Sequence, residues 1–199
     1  MTAKKEKKPI GIVAKPGSEL ARTLIKRIIA WCEHREETVV VDTSVADELD
    51  PELKTKITIV SRDEISSVAS PIIVLGGDGT LISASRHPAV PPPVVIGVNL
   101  GTLGFLTEIT SEELFPTLEL YFSGQAMLVT RPLLSTVITR ATSVGSPNAE
   151  PEVFYALNDV VLTKEALARI FGVNVWVNKD HAALVRGDGV IVSTPCGST

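Results

Sequence analysis

Four short apolar runs constrain this chain more than any other feature. They are Ile10-Gly11-Ile12-Val13-Ala14, Val39-Val40-Val41, Pro71 to Leu75 and Val94 to Val98. None alternates polar with apolar residues, so each reads as a strand buried on both faces. After the first run come Pro16, Gly17 and Ser18, with Ser18 placed to cap a helix. Leu20, Leu24, Ile25, Ile28, Ile29 and Cys32 then recur at helical spacing up to about His34. Thr80 to Arg86 predicts a second helix, ended by His87-Pro88 and the Pro91-Pro92-Pro93 run. Ser111 to Phe122 predicts a third, capped by Ser111 or starting at Pro116. Buried strands separated by helices imply a parallel sheet with helices on both faces. Ligands bind such sheets at the carboxyl ends of the strands.

After Gly124 the pattern changes. Leu128 to Thr142, Val153 to Thr163, Ile170 to Val177 and Gly189 to Ser193 are rich in Val, Ile, Leu and Thr and lack helical period. Gly145-Ser146-Pro147-Asn148 reads as a loop between two of them. The expected organisation is an α/β nucleotide-binding domain over residues 1–124 and a mostly β domain from 125 to 199. The chain closes on Pro195-Cys196-Gly197-Ser198-Thr199, a natural turn. The β domain is therefore expected to be incomplete, the chain truncated on its C-terminal side.

Composition narrows the function classes. A formal net charge of −4 over 199 residues gives no general field for polyanions. Phosphate binding must then come from local geometry, and nucleic acid is not an expected partner. The lysines Lys4, Lys5, Lys7 and Lys8 read as a solvated tail. No apolar run is long enough to span a membrane and no secretion signal is visible, so no membrane partner is expected. Two unrelated cysteines, Cys32 and Cys196, fit a reducing cytoplasm, with Cys32 on an apolar helix face. His34, His87 and His181 are scattered, so no protein-built metal site is expected.

Four segments carry the candidate chemistry. Gly76-Gly77-Asp78-Gly79-Thr80 follows a strand and precedes a helix. Its glycines allow close backbone approach and positive φ, and its N–H groups can surround phosphate. A carboxylate inside such a loop serves as a metal-side ligand or as a base for an attacking hydroxyl. The plain alternative is a strand-to-helix turn. Gly97 to Glu108 contains Asn99 and three glycines around Phe105, a loop able to seat a flat ring; a buried phenylalanine is the alternative. Adjacent Asn158 and Asp159 inside an apolar stretch are costly to bury without partners. A purine edge and ribose hydroxyls would satisfy them, and a tight turn is the alternative. The last segment is Arg186 to Thr199, where Asp188-Gly189 alone would be a hairpin turn.

Together these segments resemble the NAD kinase family, from about residue 70 onward. The resemblance implies phosphorylation of the adenosine ribose 2′-hydroxyl of NAD by ATP to give NADP. Asp78 would be the general base. Gly76, Gly77, Gly79 and Thr80 would shape the loop around NAD pyrophosphate and donor phosphates. Asn99 and Phe105 would lie near the dinucleotide, and Asn158 and Asp159 would hold NAD. Arg169, Arg186 and Asp188 stand where the family contacts ligand, with Asp188 acting across a subunit boundary of a homo-oligomer. Thr199 would open a further ligand-binding stretch. Mg²⁺ or another divalent cation would accompany ATP, with polyphosphate open as a second donor. Two departures are Cys196, where members usually carry Thr or Ser, and Ser83, where some carry a basic residue that Arg86 could replace. Because the family normally continues for about another third of its length, the 199-residue chain alone is expected to be inactive. A lipid or sphingoid kinase shares only the glycine–aspartate loop. A non-catalytic remnant is the reading from a different class.

Overall fold

The computed structural model describes residues 8–102, 104–139, 150–164 and 170–198. The expected Gly145–Asn148 loop lies outside them, as do Lys4, Lys5 and Lys7. The chain forms two compact units, Met1–Thr130 and Arg131–Thr199.

In the first unit the order is β1 (Ile10–Ala14), α1 (Glu19–His34), β2 (Val39–Asp42), α2 (Thr43–Ala46), α3 (Pro51–Lys54) and β3 (Thr58–Val60). There follow α4 (Arg62–Val68), β4 (Ile72–Gly76), α5 (Asp78–Ala84), β5 (Val95–Asn99) and α6 (Leu114–Phe122). The sheet runs β3-β2-β1-β4-β5, and every pairing in it is parallel. β1, β2 and β4 are buried along their whole length, as strands covered on both faces must be. Connections leaving β1 and β4 diverge toward opposite edges, which opens a crevice at their carboxyl ends.

α1 shows why the sequence pattern works. Ser18 caps it, its hydroxyl accepting the Ala21 N–H at 3.2 Å. Ala21, Leu24, Ile25, Ile28, Ile29 and Cys32 form its buried face, and each large aliphatic side chain there contributes about 1.5–3 kcal/mol. Burial, aided by Glu37, pushes the Cys32 thiol up to about 12, so it is a core residue without thiolate chemistry. Leu20, counted with that face in the sequence, is 43% exposed.

Among the described residues the sheet has five strands where the sequence predicts four. The extra one, β3, is a three-residue edge strand with two exposed positions, too short for a period to show. α4 also escapes apolar patterning. Its start is fixed by Ser61 and Glu64, the Glu64 carboxylate accepting from the Ser61 N–H at 3.3 Å and the Ser61 hydroxyl at 2.7 Å. Ser111 does not cap α6, since its hydroxyl bonds Glu112. Glu113 is the N-cap residue and makes no side-chain capping bond; the turn before it is closed by the Thr110 N–H donating to the Glu113 carboxylate at 2.9 Å. Pro116 then falls in the first turn, where its missing N–H costs nothing.

Among the described residues, the second unit holds three two-stranded antiparallel sheets. β6 (Leu134–Ile138) pairs β7 (Glu152–Ala156), and β8 (Asp159–Thr163) pairs β11 (Gly189–Ser193). β9 (Phe171–Val177) pairs β10 (Asp180–Gly187). Asn178 takes φ 57° in the turn between the last two. β10 is not legible in the sequence because Asp180-His181-Ala182-Ala183 has weak strand preference. The run expected from Leu128 becomes a strand only at Leu134, beyond Pro132, which has no N–H for a ladder. Asp188-Gly189 is not a hairpin turn, because β10 and β11 pair with different partners.

One charged contact ties the first unit's helices to the carboxyl edge of its sheet. Asp42, with its side chain 1% exposed, meets Arg62, the first residue of α4. The Arg62 Nε donates to Asp42 at 2.7 Å, and Nη1 donates to Ser83 of α5 at 3.1 Å. Asp42→Ala strands that guanidinium beside a dry carboxylate site. The expected loss is about 3 kcal/mol, at the low end for a broken buried pair because Arg62 keeps some solvent. A denaturant midpoint unchanged from wild type would show that the pair is energetically idle.

Candidate active site

A cleft of about 370 Å³ sits at the carboxyl ends of β1, β4 and β5. Its walls are the turn Lys15–Ser18 after β1, Gly76 and Gly77 after β4, and Asn99 to Thr102 after β5. This is the crevice that the strand order dictates. Gly76 is required because a Cβ there would sit 2.7 Å from the Thr80 Cβ. Thr80 thus folds back over the strand end. Gly77 and Gly79 have open space where a side chain would stand. None of the three has positive φ, contrary to the expectation from sequence; among the described glycines only Gly17 and Gly124 do.

Asp78, the first residue of α5, does not line the cleft. Its carboxylate turns to the segment after β5. Oδ2 accepts the Phe105 N–H at 2.9 Å. Oδ1 accepts the Leu106 N–H at 3.1 Å, the Thr107 N–H at 3.0 Å and the Thr107 hydroxyl at 3.0 Å. Partial burial pushes the Asp78 carboxyl upward, but the bonds from Thr107, Phe105 and Leu106 together outweigh it and hold the group below its ordinary value. The sign follows directly. Asp78 contributes to stability above the ordinary carboxyl value of 3.8, and that contribution is lost as pH falls through its lowered value. At neutral pH it is an anion.

Gly104 permits this contact, since a Cβ at that position would lie 2.6 Å from the Asp78 Cγ. Asn99 shapes the same segment from below. Its amide donates to the Thr102 carbonyl at 2.8 Å and the Thr107 hydroxyl at 2.9 Å, and its oxygen accepts the Gly101 N–H at 2.8 Å. The Asn99 side chain is therefore engaged within the loop. Phe105 is 80% exposed, which sets aside the buried alternative for that ring. Thr107, fully buried and central to the network, is not singled out by sequence reasoning. Its signal is a lone hydroxyl directly after Phe105-Leu106. Lys15 is likewise missed; a lysine in the turn that closes the first strand is its signal.

In the second unit, Asn158 lies in the bend between β7 and β8, and Asp159 opens β8 as an exposed residue. The Asn158 backbone is held by the turn after β11. Its carbonyl accepts the Thr194 N–H at 2.7 Å, and a Cβ on Gly197 would approach the Asn158 Cα to 2.8 Å. The side-chain Oδ1 of Asn158 is buried and has no partner. Cys196 lies in the same turn, where the Arg131 Nη1 donates to its sulfur at 3.1 Å. Arg186 and Asp188 are exposed, and Lys164 pairs with Asp188 at 2.8 Å. Arg169 and Thr199 lie outside the described residues. Among the described residues, no group of three or more His, Cys, Asp or Glu is arranged to hold a metal ion. No helix among them is long and apolar enough to cross a membrane.

Comparisons with known proteins bear on these loops. Residues 10–126 match the family described as ATP-NAD kinase N-terminal domain. The NAD kinase of Solibacter usitatus is 35% identical over 192 residues, covering 96% of this chain and 63% of that protein. The NAD kinase of Geobacter sulfurreducens is 39% identical over 193 residues, covering 96% and 64%. The chain thus spans a little under two-thirds of the length of these curated relatives. A crystal structure of yeast NADH kinase complexed with NADH superposes with a TM-score of 0.79 over 97% of this chain and 59% of that one. At 24% identity it shows the fold alone. The family match begins at the first residue of β1 and runs past the end of α6, taking in both loops that Asp78 joins, and by it the chain belongs to the NAD kinase family.

Proposed function

We propose that the protein carrying this chain transfers the terminal phosphoryl group of ATP to the adenosine ribose 2′-hydroxyl of NAD, giving NADP. The observation that carries this reading is the charged Asp78 at the head of α5, beside a glycine-walled cleft at the carboxyl edge of the sheet. A carboxylate oxygen has about two lone-pair directions. Oδ2 of Asp78 accepts one hydrogen bond and keeps a direction for a ribose hydroxyl. The hydroxyl proton passes to that oxygen as the 2′-oxygen attacks phosphorus. Because the amide donors lower the basicity of Asp78, its strength as a base depends on how tightly the segment 105–107 is held.

Asn158 supplies the second support. A buried acceptor without a partner costs about 1–3 kcal/mol, and a ligand N–H or O–H would relieve that cost. We assign Asn158 and Asp159 to NAD, Phe105 to stacking near its rings, and Gly76, Gly77, Gly79 and Thr80 to the phosphate-side loop. Asn99 acts through the loop it shapes, and Arg186 and Asp188 complete the ligand set, with Arg169 and Thr199 assigned on the family resemblance. We assign Mg²⁺ to the donor phosphates, where a cation of this kind keeps most of its shell as phosphate oxygen and water. Cytoplasmic location and a homo-oligomeric state belong to the same proposal.

The direct test is NADP formation by the intact protein, with NAD or NADH against ATP or polyphosphate. No NADP with any pair would overturn the assignment. Asp78→Asn is expected to lower turnover about 10²–10⁴-fold with the KM for NAD near wild type. An amide cannot satisfy all four donors that Asp78 satisfies, so hydrogen exchange at Phe105 to Thr107 is measured alongside. Lost turnover with protection intact assigns Asp78 to proton transfer, and lost protection assigns the effect to the loop. Turnover above a tenth of wild type removes Asp78 from the chemistry.

Asn158→Ala is expected to act on binding instead, raising the KM for NAD with kcat little changed, as loss of a uniform contact does. A fall in kcat alone would move Asn158 to the transition state.

A further inference from the structure

We propose that Lys15 is a donor-phosphate-binding residue, its ammonium holding the terminal phosphates of a nucleoside triphosphate in the cleft between the carboxyl ends of β1 and β4. This rests on the kinase reading above and adds the group that grips the donor. Among the described residues Lys15 is the single charged side chain lining that cleft. Around it stand the glycines 76, 77 and 101 and the hydroxyls of Ser18 and Thr102, with Pro16 and Leu100 as the apolar part of the wall and no aromatic ring among the described residues. Such walls suit a chain of phosphates better than a base ring, which needs flat apolar contact. Phe105, the exposed ring, is not among them.

Lys15 is also uncommitted. Lys26, Lys54, Lys56 and Lys164 each meet a carboxylate. No carboxylate among the described residues pairs with Lys15. Its backbone, in contrast, is fixed. The Lys15 N–H donates to the Leu75 carbonyl at 2.9 Å, tying the residue to the strand end that leads into Gly76 and Gly77. Two residues on, Gly17 takes φ 75° and donates its N–H to the Glu48 carboxylate at 2.8 Å. Arg22 pairs with Glu48 at 3.2 Å, so that carboxylate is already matched by a cation. The result is a rigid base under a free, flexible ammonium. A lysine of this kind can follow a phosphoryl group as its charge shifts from donor to acceptor.

The test compares wild type with Lys15→Gln and Lys15→Arg in the intact protein. Lys15 is exposed, so neither change should disturb folding, and circular dichroism checks this. Lys15→Gln is expected to raise the KM for ATP about tenfold or more while the KM for NAD stays within about twofold, the size of one lost charge-assisted contact. Lys15→Arg should recover most of the loss. Calorimetric binding of inorganic tripolyphosphate gives a readout independent of turnover and should weaken by a similar factor in Lys15→Gln. An unchanged KM for ATP together with unchanged tripolyphosphate affinity overturns the proposal. So does a rise confined to the KM for NAD, which would place the dinucleotide pyrophosphate at Lys15. If wild type forms no NADP yet binds tripolyphosphate through Lys15, the kinase reading fails and the phosphate site stands.

Discussion

Burial of β1 and β4 on both faces is the constraint from which the site follows. A strand with helices above and below can offer a ligand only its ends. Because successive connections leave β1 and β4 in opposite directions, the helices part there and backbone is left uncovered. The glycines at 76 and 77 then bring that backbone to the surface of the cleft. Neither the cleft nor the glycine loop would mean much on a sheet with one wet face, where polar side chains could gather anywhere.

Joining the strand ends is a separate task, and Asp78 performs it. Four donors from one short segment converge on its carboxylate, so the loops after β4 and β5 behave as one piece. Arg62 does comparable work further along the edge, linking β2 to α4 and α5 through Asp42 and Ser83. Ser83 is one of the two positions where the sequence departs from the family resemblance, and here its hydroxyl already receives a guanidinium. Charged side chains thus serve as struts at the edge of an otherwise apolar sheet. Each is matched by donors or by an opposite charge, as ionised groups drawn partly out of water require.

Much of this was legible in the residues. The β1–α1 unit, the strands β2, β4 and β5, the helices α5 and α6, and the position of the glycine–aspartate loop follow from apolar runs and turn chemistry, whereas α2, α3 and α4 between β2 and β4 do not. β3 and β10 were not legible, because a three-residue edge strand and an Ala- and Asp-containing strand carry no pattern that separates them from loop. Strand partners in the second unit were equally hidden. Pairing joins residues far apart in sequence, such as Asp159 with Ser193, and nothing local encodes it. At the site, the residue types were visible and their partners were not. Asp78 is conspicuous as the carboxylate among glycines, but its hold on Thr107 spans 29 positions. Asn99 looked like a ligand residue for the same reason that it makes a good loop former: both amide ends are available for bonding.

Gly104 carries a further consequence. It lacks a side chain because the Asp78 carboxylate occupies the space that a Cβ would take. Positions 78 and 104 are therefore a single unit of variation. A larger residue at 104 is sterically admissible only when 78 is small, and restoring a carboxylate at 78 is admissible only when 104 is glycine again. Effects of substitution at the two cannot be summed from single changes, because each sets the background on which the other is read. Any path of sequence change that alters this corner must pass through both positions together.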